Sequence, residues 1–160
     1  MRDTQAISLD GNQLAFVYTK AFHEVTGLLS LALQNNNISF LGSGIFSNLN
    51  RLTTLLLHDN QLPAISPGAF DGLVSLAYID LSKNQLKSES VPRAFLRRAS
   101  KLRRVYLDDN QLEMIDSCIL ASPQSHSATR VLSVLGNPIN CDCSMRWLLR
   151  LRCVRYCVSH

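Results

Sequence analysis

Four histidines and five cysteines are the residues of this 160-residue chain best suited to chemistry. His23, His58, His126 and His160 are scattered along it, and no serine or cysteine stands at a nucleophile-like turn with a base beside it. Gly42-Ser43-Gly44 is rich in glycine. It does not lead from a strand into a helix, the arrangement that aims backbone N–H groups at a phosphate. The cysteines are more concentrated, with Cys141, Cys143, Cys153 and Cys157 close to the end of the sequence. Four thiols can pair as disulfides in three ways, or hold a zinc ion tetrahedrally. Cys118 is the odd one, two residues ahead of apolar Leu120, and is expected to be a buried or half-buried thiol. Asn37-Ile38-Ser39 is an N-glycosylation acceptor triplet, which makes Asn37 a modification candidate. None of these groups assembles a catalytic constellation, so the chain is expected to bind rather than to react.

What positions these residues is a repeat. Asparagines recur at positions 12, 36, 60, 84, 110 and 137, at intervals of 24, 24, 24, 26 and 27. Each sits in one frame: apolar, any, apolar, two of any kind, Asn, any, apolar. Leu55-Leu-Leu57-His-Asp-Asn60-Gln-Leu62 shows the frame, and Val105-Tyr-Leu107-Asp-Asp-Asn110-Gln-Leu112 repeats it. Apolar residues two apart put their side chains on the same side of a short strand. The residues between and beside them, such as Leu56 and His58, must then face the other way. Stacked repeats predict a parallel sheet with one wet face. Phe22, Phe46 and Phe70 each follow the last apolar position of the frame by eight residues and predict the far wall of the core. Leu120 takes that place in the fifth unit. Two extra residues around Ser88–Val91 shift it in the fourth to Phe95 or Leu96, and they are expected to bulge on the convex side. The asparagine amides are expected to satisfy backbone groups where the chain leaves the strand.

This frame resembles the typical class of extracellular leucine-rich repeats, most closely over Leu52–Leu62 and Ala69–Leu73. Asn137-Pro138-Ile139-Asn140-Cys141-Asp142-Cys143, with Trp147-Leu148, is similar to the start of the cysteine-rich C-terminal cap of the same proteins. Variable lymphocyte receptors and Toll-like receptor ectodomains share these features, as do guidance proteins of the Slit type and matrix proteoglycans. The resemblance implies an α/β repeat fold: a right-handed solenoid, or horseshoe, with its parallel β-sheet on the concave face. Residues 1–139 would form six repeats and 140–160 a short cap. It further implies an extracellular, non-enzymatic module whose four late cysteines form disulfides rather than a metal site, with no cofactor. Two departures stand out. No counterpart of the family's N-terminal cap precedes Gln5, which leaves the apolar end around Ile7 and Leu9 as a candidate pairing surface for a second copy. The cap is also short: one continuous helix over Ser144–Arg152 would hold Cys143 and Cys153 about 15 Å apart, beyond the roughly 7 Å a disulfide allows.

The outward positions form columns down the sheet. Small residues dominate the first repeats, whereas Leu56, His58, Tyr78, Asp80, Arg104, Tyr106 and Asp108 occupy them from the third to the fifth. Core formation does not demand an outward leucine or two outward tyrosines. Tyrosine and arginine among carboxylates have the character of an interaction hot spot, so these seven are the expected ligand contacts. Charge is uneven as well. Residues 1–90 carry five Lys/Arg against seven Asp/Glu, and residues 91–160 carry eleven against five. The basic half offers a rival site for acidic glycans, in a matrix or adhesion role. The leading expectation is a protein or glycan ligand on the concave face, as in an immune receptor, without nucleic acid. No apolar run approaches the roughly 20 residues that span a bilayer, so no membrane insertion is expected.

Overall fold

A computed structural model describes residues 3–115 and 131–140. Six strands of three residues each, β1 (Ala6–Ser8), β2 (Ser30–Ala32), β3 (Thr54–Leu56), β4 (Tyr78–Asp80), β5 (Arg104–Tyr106) and β6 (Val131–Ser133), form one sheet in chain order. Every neighbouring pair is parallel and in register, so Ile7, Leu31, Leu55, Ile79, Val105 and Leu132 make one inward column. The backbone ladder runs on beyond the strands, with Leu33 N donating to Leu56 O at 2.9 Å and Leu57 N to Asp80 O at 2.8 Å. The expected fold is therefore present: parallel strands of a leucine-rich-repeat solenoid with one face open.

The turn out of each strand follows one recipe. The residue ahead of every frame asparagine is left-handed: Gly11, Asn35, Asp59, Lys83, Asp109 and Gly136, with φ between 51° and 68°. That bend breaks the ladder, and the next side chain repairs it. Asn60 Nδ2 donates to Leu33 O, Leu57 O and His58 O at 2.9, 3.1 and 3.4 Å, while its Oδ1 accepts Ile38 N–H at 2.9 Å. Asn36, Asn84 and Asn110 repeat the pattern, and all four are buried. Each amide thus bonds across to the preceding turn, which is why an uncharged side chain with both donors and an acceptor is needed here.

Opposite the sheet, Phe22, Phe46 and Phe70 stack with ring centroids 6.1 and 6.0 Å apart. The fourth repeat divides their role between two residues. Left-handed Ala94 stands where Lys20, Gly44 and Gly68 stand before the other phenylalanines, so the backbone aligns Leu96 with Phe70. The ring that continues the stack is nevertheless Phe95, 5.7 Å from Phe70 and tilted by 57° because it arrives one residue early. Both are buried. The extra residues of this repeat wind into a single 3-10 turn, Ser88–Ser90, away from the sheet. Ser88 Oγ ties that turn to the next repeat by accepting Glu113 and Met114 N–H at 2.9 Å each.

Candidate binding face on the open side of the sheet

The middle residue of β2 to β6 is buried and its two neighbours look outward, so the sheet itself presents the candidate contacts. Parallel register then decides who meets whom. Tyr78 lies opposite Arg104, and Asp80 lies opposite Tyr106. The two tyrosines meet on the diagonal, with ring centroids 5.4 Å apart and planes at 40°. Tyr78 Oη donates to Asp80 Oδ2 at 3.4 Å, and Asp80 Oδ1 accepts Ser82 N–H at 3.0 Å. Partial burial is the first cause that raises the Tyr78 pKa. The Asp80 charge adds to it, and Arg104 pulls the other way. The result is a half-buried aromatic pair, with the carboxylate of Asp80 in register with Tyr106 and the exposed Arg104 in register with Tyr78. Such a group offers flat apolar area, two hydroxyls and opposite charges at fixed positions, which suits a peptide surface.

The other expected contacts are less free. Asp108 Oδ1 accepts from Ser133 Oγ and Leu135 N–H, both at 2.6 Å, which commits it to holding β6 beside β5. His58 Nδ1 lies 2.9 Å from Asp59 Oδ2, and Lys83 Nζ lies 3.6 Å from Asp59 Oδ1. Leu56 is half-buried and pairs in register with Ala32 and Asp80. Tyr78, Asp80, Arg104 and Tyr106 therefore form the compact group, flanked by Leu56 and His58. Asn37 is exposed while Ile38 beside it is buried, so the acceptor triplet presents its asparagine to solvent. Cys118, Leu120, Cys141, Cys143, Cys153 and Cys157 lie outside the described residues, as do His126, His160 and the cap. Among the described residues no cluster of His, Cys, Asp or Glu could hold a metal ion, and no helix is long and apolar enough to cross a membrane.

Two features escape the sequence argument. Gln34 Oε1, in the same outward column as His58, is buried without a hydrogen-bond partner among the described residues. Phe16, Tyr18 and Phe40 are 51%, 72% and 59% exposed, with Phe16 and Tyr18 edge to face at 4.8 Å. Phe16 and Phe40 also pair across adjacent turns. Their spacing of 24 residues was the available signal, but the frame gives that position no fixed character, since Ala64 follows in the same place.

Compared with known protein families, the chain matches the one described as leucine rich repeat, over residues 2–62, 26–86 and 50–112. No curated protein matches it.

Proposed function

This chain belongs to the leucine-rich-repeat family, and on that premise we propose that it is an extracellular recognition module of the immune-receptor kind, binding a protein ligand on the open sheet face. The family membership supports a protein-binding role in general; the ligand class and the compartment belong to this reading. The observation that carries it is the Tyr78–Tyr106 pair, set beside Asp80 and Arg104 on a face that core packing leaves free. A short-strand sheet locked by interior asparagines loses little freedom when a partner arrives, so these side chains act from a preorganised surface. Leu56 and His58 extend the contact toward the N-terminal repeats. The Asn137-Pro138 to Cys143 motif supports the extracellular placement, and exposed Asn37 would accept a glycan there.

Capture from extracellular fluid tests this reading. Wild type should retain a partner that Tyr78→Ala and Tyr106→Ala each retain at least about tenfold less tightly, since central aromatic truncations typically cost ~2 kcal/mol or more. Melting midpoints should move little. Undiminished capture by both variants would overturn the assignment. Sedimentation of the purified chain covers the rival that the partner is a second copy: concentration-dependent dimers abolished by the same substitutions would replace the external ligand.

A further inference from the structure

Ahead of β5 the chain reads Arg93-Ala-Phe-Leu-Arg97-Arg98-Ala-Ser-Lys101-Leu-Arg103-Arg104, six cations without a carboxylate among them. The carboxylates nearest in sequence are Glu89 ahead of the segment and Asp108 and Asp109 after the strand. The fold separates the two kinds of side chain in the basic segment completely. Phe95, Leu96, Ala99 and Leu102 are buried in the core, at 7% exposure or less. Arg97, Arg98, Lys101, Arg103 and Arg104 are all exposed. Their backbone is fixed in place: Arg97 N donates to Ala94 O at 2.9 Å, and Arg103 and Arg104 N both donate to Ala77 O, at 2.9 and 3.1 Å. The apolar anchors and these bonds fix the backbone that carries the cations.

Little neutralises Arg97, Arg98, Lys101, Arg103 and Arg104. Arg98 Nε reaches Asp71 Oδ1 at 3.9 Å, an exposed pair that contributes almost nothing. Among the described residues Arg97, Lys101, Arg103 and Arg104 form no salt bridge. Exposed guanidinium and ammonium groups that lack carboxylate partners, carried on a fixed backbone, lower the free energy of an anion placed among them, and arginine adds forked hydrogen bonds to planar or tetrahedral oxyanions.

We propose that this basic edge binds a sulfated polysaccharide. The site lies beside the tyrosine pair but does not depend on it. A sulfated sugar chain requires only spaced cations on a firm support, which is what the segment supplies. Single-stranded nucleic acid would want exposed rings on which bases stack. Here the one aromatic residue of the segment, Phe95, is buried. An anionic membrane surface is held best when apolar side chains enter it, and every large apolar side chain of this segment points into the core.

Heparin is the probe. The whole chain should bind it with an affinity that falls steeply as salt rises, because bound cations release counterions. Replacing Arg97, Arg98, Lys101 and Arg103 together by alanine should weaken binding about tenfold or more, with an unchanged melting midpoint. Arg104 is left intact because it also faces Tyr78. A second variant removes the same charge elsewhere in the sequence, with Arg146, Arg150, Arg152 and Arg155 replaced by alanine, and should change affinity by less than about threefold. Desulfated heparin should not bind. The proposal is overturned if the first variant keeps wild-type affinity, if the second loses as much as the first, or if a single-stranded polynucleotide binds more tightly than heparin at equal ionic strength.

Discussion

Ala94 carries a backbone that its side chain does not suit. Its φ of 53° falls at the place where Gly44 and Gly68 hold 68° and 76° in the preceding repeats. A Cβ there costs roughly 1–2 kcal/mol, partly offset by the extra freedom glycine has when unfolded. Ala94→Gly should therefore raise stability by about 0.5–1 kcal/mol, seen as a higher urea midpoint at unchanged slope. Tyr78 gives a residue-scale prediction of another kind. Partial burial and the Asp80 charge make the folded chain hold the phenol proton more tightly than the unfolded chain does. Stability is then complete below the ordinary phenol range and falls as pH rises through the folded value. Tyr78→Phe should remove part of that loss between roughly pH 9 and 11 while changing little near neutrality. Parallel alkaline profiles for the two proteins would show that Tyr78 is not the group responsible.

The asparagine turn is the element that joins one repeat to the next. Asn60 makes four hydrogen bonds, one to Leu33 O and one from Ile38 N, both in the preceding turn. Asn12 is exposed and donates only within its own turn, to Leu9 O and Asp10 O. The same residue type in the same frame should thus differ in worth. Asn60→Ala should cost about 1–3 kcal/mol through buried groups left unpaired, and Asn12→Ala under about 1 kcal/mol. Chemical denaturation of both separates the contribution of the ladder from that of local turn propensity. Equal losses would assign the effect to the turn alone. The phenylalanine stack acts at the same scale, and its tilted last member shows the adjustment made when two residues are inserted.

Taken whole, the molecule is a one-dimensional stack in which each turn touches its neighbours and little else. The 24-residue period makes the stack tolerant of some deletions and intolerant of others. Removing residues 37–60 joins Asn36 to Gln61 and restores the frame as Leu33-Gln-Asn-Asn36-Gln61-Leu62. That chain should still unfold cooperatively, with a lower midpoint and a shallower denaturant dependence in proportion to the surface lost. Removing residues 37–48 instead breaks the register and should abolish the cooperative transition. The gradation of the surface is also a property of the whole. Outward residues are small at β1 and β2, aromatic and charged at β4 and β5, with the basic edge preceding β5.

Periodicity by itself determined the sheet, its parallel sense, the inward column from Ile7 to Leu132 and the asparagine ladder. Every one of these depends on spacing along the chain, and a repeated spacing leaves a stacked chain one way to bury its leucines. Tertiary structure alone decided how outward neighbours share their bonds. Tyr78, Asp80, Arg104 and Tyr106 meet as a group, whereas Asp108 turns to Ser133 and His58 to Asp59. The spacing also left the fourth core position open between Phe95 and Leu96, and the answer is that backbone and ring assign it differently. The contacts of Tyr78 with Arg104 and Tyr106, of Asp108 with Ser133 and of Phe70 with Phe95 turn on side-chain directions across adjacent turns, between residues 25 to 28 positions apart in the sequence, whereas Asp80 and Asp59 bond close neighbours of their own turns. A frame that admits any residue at its outward positions carries no instruction about them.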